Sequence, residues 1–533
     1  MMNKRSRNAL VVTLTLATAL IAQTALSGGT EGPSAKQQSN QQQQTSTAQG
    51  VFVLPDGYKI EKVVDGLTYP TALTWDDQGK MYVAEAGGGF LEQLSASRIM
   101  LIENGKARQV VNLTDQTLHG SGTNRGVHNP VVGLVWHDGA FYFTHRDPKD
   151  LTGAVSRVTK DGKMERLLSG FIDSQTEHQL DDIKMGPDGK MYLLSGPAAN
   201  AAVVGPDEKP YLIRSPKAHT TPCKDIVLKG LDFQSEDFRT EQKGDMVRTG
   251  AYVPFGTETT PGQVIKGRTK CGGAILTFDP KDPEGTLEVY AWGTRNLIGI
   301  AWDDQGNAYA AENGYDVRGS RPVNDQYDAT YRIKKGAWYG WPDFSAAKEP
   351  VSLPKFAPPK EHLAEVFVNG KSQGKMVGTV IDHQASGLTP PDPALVAGLH
   401  PVNSSPSMLD VAPASWGDWA GHIFVAEWGD LAPPTNPLRK QPVGSRIVRI
   451  DPKTGQKQVM PFIHNRRPGP ASTQGAKGMG LERPFDVKFG PDGAMYIVDY
   501  GQVITDMERA KRGLPPHEPQ AGTGIIWKVT KSK

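Results

Sequence analysis

A histidine and a few cationic or amide residues stand immediately before apolar segments, where a shared site could form. His178 precedes the segment that begins at Leu180, Arg295 and Asn296 precede Leu297, and Arg483 precedes Pro484. An imidazole titrates near neutrality and can take a proton from a hydroxyl group. A guanidinium group can clamp a carboxylate or hold a developing negative charge. Residues of these types can carry such chemistry if they face one cavity, although a lone histidine at such a position is more often a structural residue.

Several common catalytic motifs are missing from the sequence. No GxGxxG opens a helix after a strand, and there is no P-loop, HExxH or GxSxG. No CxxCH is present either, so the chain carries no c-type haem of its own. The 59 basic and 57 acidic residues give a net charge of +2, which does not predict a nucleic-acid partner.

One pattern recurs six times: an apolar segment, a turn rich in Asp and Gly, and a second apolar segment. The copies are PTALTWDDQGKMYVAEAG from residue 70, NPVVGLVWHDGAFYFTHRD from 129, QLDDIKMGPDGKMYLLSG from 179, NLIGIAWDDQGNAYAAENG from 296, SMLDVAPASWGDWAGHIFVAEWGD from 407 and RPFDVKFGPDGAMYIVDYG from 483. Such turns are typical of tight hairpins, and a fixed repeat of hairpins favours radially stacked sheets over a sandwich. The sequence predicts an all-β fold, a six-bladed β-propeller over residues 51–533, with long inserted loops at about 200–275 and 343–400.

The N-terminal region predicts export. Lys4, Arg5 and Arg7 precede an apolar run that is short for a membrane span, so residues 1–27 are predicted to be a signal peptide. The stretch before Gly29 resembles a lipoprotein box, but the cysteine that would be lipidated is absent. Residues 28–50 are rich in Gln, Ser and Thr and predict a disordered linker. We therefore expect a periplasmic or secreted protein without stable membrane insertion.

The sequence contains two cysteines, Cys223 and Cys271. An oxidising compartment permits a disulfide between them, which would close a long insertion. Two buried free thiols are nearly as well supported by the sequence.

The linked motifs resemble the PQQ-dependent glucose/sorbosone dehydrogenase family. The resemblance is carried by WGTRN-LIGIAWDDQGNAYAAENGY, by GAWYGWPDF from residue 336, by EHQLDDIKMGPDGKMYLLSG and by RPFDVKFGPDGAMYIVDYG. It implies a quinoprotein oxidoreductase that oxidises an aldose or an aldehyde sugar. The implied cofactors are PQQ and Ca²⁺, and the electrons would pass to an external acceptor.

The resemblance also implies roles for individual residues. His178 would be the general base, and Arg295 would stabilise the quinone as it is reduced. Asn296, Arg483 and His128 would bind the cofactor.

The same resemblance implies a calcium site. The backbone carbonyls of Gly314 and Tyr315 would bind the Ca²⁺ ion.

Some positions depart from the family pattern. Gly196 and Pro197 stand where the family has an Asp that supports the catalytic histidine, so that carboxylate is either lost or supplied differently, for example by Asp181 or Asp182. The cofactor-binding Lys of the fifth blade has no clear counterpart, since a stretch beginning at Glu427 stands near its place.

Two other functions stay open. A metal-dependent lactonase on the same plan would gather acidic residues that end the second segment of four repeats, namely Glu85, Glu312, Glu427 and Asp499. A non-catalytic propeller would instead bind a sugar or a partner protein on its loop face. The sequence leaves a homodimeric state open.

Overall fold

The computed structural model of the protein describes residues 51–89, 92–115, 126–512 and 514–532. The predicted signal peptide and linker, residues 1–27 and 28–50, lie outside these residues. The prediction of an all-β protein is confirmed, because the described chain is built almost entirely from antiparallel strands.

The first strands of the chain pair with its last ones, and two complete sheets follow. The two early strands are β1 (Phe52–Val53) and β2 (Tyr58–Leu67). Sheet 1 contains β3 (Pro70–Trp75), β4 (Met81–Glu85), β5 (Arg98–Glu103) and β6 (Lys106–Asn112). Sheet 2 contains β7 (Leu134–His137), β8 (Ala140–Arg146), β9 (Gly153–Thr159) and β10 (Met164–Phe171).

Sheets 3 and 4 are each interrupted by an insertion. Sheet 3 contains β11 (Leu180–Met185), β12 (Met191–Ser195), β17 (Ala274–Phe278) and β18 (Glu288–Trp292), and the insertion between β12 and β17 contains β13 (Ile226–Val227), β14 (Asp232–Glu236), β15 (Met246–Gly250) and β16 (Val264–Ile265). Sheet 4 contains β19 (Asn296–Trp302), β20 (Ala308–Asn313), β21 (Asp328–Ile333) and β24 (Val396–His400), and the insertion between β21 and β24 contains β22 (Glu365–Val368) and β23 (Lys371–Lys375).

Sheets 5 and 6 take up the two early strands. Sheet 5 contains β25 (Pro406–Val411), β26 (Ile423–Glu427), β27 (Arg446–Ile450) and β28 (Met460–Asn465), with β1 at its edge. Sheet 6 contains β29 (Pro484–Phe489), β30 (Met495–Asp499) and β33 (Gly524–Lys531), with β2 at its edge. Between β30 and β33 the chain forms a separate hairpin of β31 (Val503–Thr505) and β32 (His517–Pro519).

The helices are short. The α-helices are α1 (Lys209–Leu212), α2 (Pro283–Thr286) and α3 (Met507–Lys511), and the 3₁₀ turns are Ile172–Gln175, Pro206–Glu208, Pro354–Phe356, Lys360–His362, Pro393–Leu395, Ala414–Trp419 and Ala471–Gln474. Within the residues described above, none of these helices is long and apolar enough to cross a membrane.

The insertions differ from the prediction of long loops. β14 pairs with β15 and also with β22, so the two insertions form one four-stranded sheet, β15-β14-β22-β23. Buried backbone N–H and C=O groups need partners, and segments from separate insertions satisfy one another here.

The recurring Asp/Gly turns stabilise their hairpins with side-chain hydrogen bonds. In sheet 6, the Asp492 carboxylate accepts bonds from the Ala494 N–H (3.1 Å) and from the Tyr496 hydroxyl (2.9 Å). The turn also needs a left-handed residue, which Gly493 supplies at φ +74°. Asp76, Asp188 and Asp303 make the same kinds of bond in sheets 1, 3 and 4.

Each sheet packs against the next through its first strand. β3 contacts β7, β7 contacts β11, β11 contacts β19, β19 contacts β25, β25 contacts β29, and β29 contacts β3. Leu73 and Val83 of sheet 1 share a buried apolar cluster with Val498 and Ile526 of sheet 6. The first strands of sheets 1 to 6 are therefore linked by a continuous series of contacts.

Cys223 and Cys271 form a disulfide, which settles the alternative that the sequence left open. The bond links residues 48 apart and closes the first insertion near the end of sheet 3.

Removing this disulfide is expected to lower the free energy of unfolding by about 4 kcal/mol, because the unfolded chain regains the entropy of a 48-residue loop. Urea denaturation of the native protein and of the Cys223→Ser/Cys271→Ser variant, each with and without reductant, measures the loss. The double variant should not respond to reductant. Equal stability of the native protein in both conditions would contradict the prediction.

Candidate functional site

A cavity of about 390 Å³ lies where the first strands meet. In five sheets the pairing of the first two strands shifts register near the start of the first strand. An extra residue at such a bulge redirects its side chain. One residue at each of these shifts lines the cavity: Thr71, Asp181, Ile298, Ser407 and Phe485. The bulges therefore direct these side chains into the cavity.

His178 lines the cavity just before β11. Its Nδ1 lies 2.7 Å from the carbonyl oxygen of Pro197, and its Nε2 lies 3.2 Å from Oε1 of Glu177. A carbonyl oxygen can only accept, so Nδ1 carries the proton and donates it to Pro197. In the neutral ring, Nε2 then carries the lone pair.

The imidazole of His178 is held in its neutral form. Burial is the largest cause and lowers the pKa of His178 to about 3. Glu177 opposes this shift, while the charges of Arg295 and Arg318 add to it. An unprotonated Nε2 at neutral pH is what a general base requires.

The neutral state of His178 predicts that its ring does not titrate near pH 6.5, the ordinary histidine pKa. Because the pKa in the folded protein is lowered, the neutral ring persists as the pH falls, and the ring charges only near pH 3. Histidine-selective ¹³C NMR between pH 8 and pH 5 measures this, and comparison with His178→Gln assigns the resonance. A midpoint near 6.5 for that resonance would contradict the prediction.

The carboxylates expected to support His178 do not do so. Asp181 accepts a hydrogen bond from Gln179 (3.0 Å), and Asp182 contacts the ammonium group of Lys184 (3.2 Å). The prediction for Asp181 or Asp182 is therefore wrong: the Pro197 carbonyl and Glu177 contact the imidazole instead. Both aspartates belong to β11, where Asp182 accepts a hydrogen bond from the Ile300 N–H of β19 and Asp181 lines the cavity.

Gly196 leaves no space for the carboxylate that the family places there. A Cβ atom at this position would lie 2.5 Å from Oδ1 of Asn296 and 2.6 Å from Cβ of His178. The absence of a side chain lets Asn296 and His178 come together at the cavity.

Arg295 and Asn296 also line the cavity. The Arg295 guanidinium donates to the carbonyl of Asn200 (3.1 Å), to the carbonyl of Asn313 (3.1 Å) and to Asp316 (3.0 Å). Its backbone N–H donates to Glu312. Asn296 is buried, and its Oδ1 has no hydrogen-bond partner within the described residues.

Arg318 is a lining residue that the sequence did not single out. Its guanidinium contacts Glu177, Asp207 (2.6 Å), Glu208 (3.3 Å) and Asp316 (3.0 Å). Arg318 follows the Glu312–Tyr315 motif closely, but its partner Glu177 is 141 residues away and no local pattern links the two.

The charges around Arg318 divide the carboxylates into two groups. Burial opposes the ionisation of Glu177, but Arg318, His178 and Arg295 together outweigh it, and the pKa of Glu177 falls to about 2. Burial dominates for Asp207 and Glu208, whose pKa values are raised despite Arg318. Glu177 is therefore the ionised partner of His178.

Three of the predicted site residues lie outside the cavity lining. His128 directs Nδ1 to the carbonyl of Asn129 (3.1 Å), Arg483 donates to the carbonyl of Asp430 (2.7 Å), and the Tyr315 hydroxyl donates to Phe344. Their roles toward a cofactor or metal stay predictions. Gly314, the other predicted metal ligand, does line the cavity.

Oxygen donors suitable for a hard cation lie around Gly314. Within the described residues, the carbonyls of Gly314 and Tyr315 accept no hydrogen bond, and the buried Oδ1 of Asn313 has no partner. Carbonyl and amide oxygens are ligands that Ca²⁺ accepts.

The acidic residues of the lactonase hypothesis do not form a metal site. Each instead accepts a hydrogen bond from another protein group: Glu85 from Thr68, Glu312 from Arg295, Glu427 from His400 of sheet 4 and Asp499 from Arg483. Among the residues that the structure describes, no three His, Cys, Asp or Glu side chains are arranged to hold a metal ion.

An aromatic wall closes one side of the cavity. The ring of Trp428 lies 5.6 Å from that of Phe485 and 4.7 Å from that of Tyr500, measured between centroids. All three residues line the cavity, together with prolines of the β31–β32 hairpin region. This wall offers an apolar surface for a planar ring.

The sequence matches two known families. Residues 258–365 match the family described as glucose/sorbosone dehydrogenase, and residues 44–241 match a domain of unknown function, DUF7133. The first match contains Arg295, Asn296 and Gly314. This part of the chain is similar to the glucose/sorbosone dehydrogenases. The resemblance stated from the sequence motifs is thereby confirmed.

Individual relatives are distant. An uncharacterized protein of Synechocystis sp. is 24% identical over 312 residues, which are 55% of this chain and 60% of that protein. This chain therefore aligns with less than two thirds of the length of that relative.

Solved structures share the fold. A calcium structure of a Trichoderma reesei Carbohydrate-Active Enzymes Family AA12 protein is 14% identical, has a TM-score of 0.51, and covers 91% of this chain and 98% of its own. The holo PQQ domain of pyranose dehydrogenase from Coprinopsis cinerea is 15% identical with a TM-score of 0.48, and covers 90% of this chain and 97% of its own. The similarity to the Trichoderma protein shows a shared fold.

Proposed function

We propose that this protein is an exported quinoprotein oxidoreductase that oxidises an aldose or an aldehyde sugar. The observation that carries the proposal is the state of His178. This buried, neutral histidine lines the cavity, and its Nδ1–H donates a hydrogen bond to the carbonyl of Pro197. The similarity of residues 258–365 to the glucose/sorbosone dehydrogenases supports oxidation of a sugar as the class of reaction.

In the proposed reaction, Nε2 of His178 takes the proton of the hydroxyl group on C1 of the sugar, or of an aldehyde hydrate. C1 loses a hydride, and its C–O bond becomes a carbonyl. The imidazolium ion that forms is stabilised by the ionised carboxylate of Glu177, 3.2 Å from Nε2. Arg318 keeps Glu177 ionised, so this carboxylate does not compete for the proton.

The donor set fits PQQ together with Ca²⁺. Arg295 and Asn296 would contact the quinone, and the aromatic wall would face its ring system. The carbonyls of Gly314 and Tyr315, with Oδ1 of Asn313, would hold the ion. When bound, the quinone accepts the hydride from C1 and the ion polarises the quinone carbonyl. Because acidic residues outnumber arginines in the lining, the anionic cofactor needs the divalent cation.

We propose the six sheets as the blades of a six-bladed β-propeller. The ring of contacts among their first strands, which returns from β29 to β3, supports this arrangement. β2 would complete the last blade from the opposite end of the chain. Export through the predicted signal peptide and transfer of electrons to an external acceptor belong to the same proposal.

Titration of metal-stripped protein with PQQ, with Ca²⁺ or with a chelator, tests the cofactor assignment. The fluorescence of Trp428, a lining residue, should respond to a planar ligand beside it. We expect saturable binding with Ca²⁺ and at least tenfold weaker binding with the chelator. No binding in the presence of Ca²⁺ would overturn the quinoprotein proposal and favour a non-catalytic binding protein. Equal binding in both conditions would overturn the role of the ion.

A further inference from the structure

The lining of the cavity has more acidic than basic side chains. Five carboxylate residues contribute to it, whereas the guanidinium groups in the described lining are those of Arg295 and Arg318. The acidic residues are Glu177, Asp181, Asp207, Asp316 and Asp328. The lining therefore offers more carboxyl groups than guanidinium groups to a ligand.

Both arginines are already engaged by protein groups. Arg318 contacts Glu177 and Asp207 through different nitrogens, and its Nε contacts Asp316. Arg295 shares Asp316 (3.0 Å) and donates its other bonds to carbonyl and amide oxygens. The two guanidinium groups of the described lining therefore have little hydrogen-bonding capacity left for a ligand.

Several lining oxygens have no partner among the described residues. They include Oδ2 of Asp181, Oδ1 of Asp207 and Oδ1 of Asn296. The side chain of Asp181 is fully buried and that of Asn296 nearly so. A buried acceptor without a donor is costly, so these atoms favour a ligand that brings N–H or O–H groups.

We infer that the ligand of this cavity carries hydroxyl groups and one ammonium group, as an amino sugar does. The inference names the substrate class of the proposed oxidation and rests on that proposal for its chemistry. The ammonium group would lie beside Asp207, while hydroxyl groups would donate to Asp181 and Asn296.

The position of Asp207 places this charge near the base. Arg318 binds Asp207 and Glu177 at once, and Glu177 is 3.2 Å from Nε2 of His178. If the ammonium group of the sugar lay at Asp207, a neighbouring hydroxyl group of the same sugar would lie at the end of the cavity that contains His178. Burial raises the pKa of Asp207 despite Arg318, and the charge of Glu177 raises it further, as expected for a carboxylate short of positive charge.

Calorimetric titration of the metal-free protein at pH 7 tests the inference with D-glucosamine, D-glucose and N-acetyl-D-glucosamine. The acetylated sugar matches glucosamine without its charge. We expect glucosamine to bind at least about tenfold more tightly than either other sugar, since a hydrogen bond to a charged group is worth that much. The isosteric Asp207→Asn variant should lose this preference. Glu165→Gln, which removes a carboxylate outside the cavity, should retain it.

Equal affinities for the three sugars would overturn the inference. The inference would also be overturned if calcium chloride bound more tightly than glucosamine and the Asp207→Asn variant lost this calcium binding. The carboxyl group of Asp207 would then belong to a metal site. The titration contains no PQQ, so a failure of quinone binding does not affect its result. Equal binding of the sugars would conversely leave the proposed oxidation standing.

Discussion

The His178→Gln variant is expected to lose about 10³-fold in kcat for sugar-dependent dye reduction, within the range that general-base catalysis contributes. Glutamine preserves polarity and approximate size but cannot take a proton at neutral pH. The loss should fall on kcat more than on KM, because the proton transfer belongs to the transition state. Steady-state kinetics of the PQQ- and calcium-loaded proteins measure both parameters.

His137→Gln provides the matched control, since His137 lies in β7 and does not line the cavity. Its kinetics should equal those of the unmodified protein. A His178→Gln variant that binds PQQ normally and keeps kcat within about threefold would contradict the role of His178 as the base.

The Arg318→Met variant is expected to lower the free energy of unfolding by about 3–5 kcal/mol, the usual effect of removing one partner from a buried ion pair. The Arg318 side chain is 12% exposed and contacts four carboxylates. Its loss leaves these acids, among them the ionised Glu177, without their shared cation. Urea denaturation at pH 7 measures the change.

Arg157→Met removes an arginine from the exposed pair with Glu165, whose side chains are 42% and 57% exposed. This control should cost less than about 1 kcal/mol, because water screens exposed pairs. Similar losses in the two variants would show that the Arg318 cluster adds little to stability.

The sequence predicted the features that depend on local chemistry. The Asp/Gly turns identified hairpins because their geometry requires particular residues within a few positions, as Gly493 and Asp492 illustrate. His178, Arg295 and Asn296 line the cavity because each directly precedes or begins the first strand of a sheet.

The features that the sequence missed depend on contacts between distant segments. Glu177 and Arg318 meet across 141 residues, and β14 pairs with β22 of another insertion. Asp181 was a reasonable candidate to support His178 from its position in the chain. The bulge at the start of β11 instead directs Asp181 to the cavity, while the Pro197 carbonyl accepts the hydrogen bond from Nδ1 of His178.

Single-turnover reduction of the calcium-bound, PQQ-loaded protein tests the proposed oxidation most directly. The protein is mixed with D-glucose, D-glucosamine or an aldehyde sugar, and the absorbance of the bound quinone is followed without an added acceptor. We predict that at least one sugar reduces the quinone stoichiometrically, and that deuterium at C1 slows the reduction because the hydride leaves from that carbon. Saturable PQQ binding without reduction by any of the sugars would contradict the proposed oxidation.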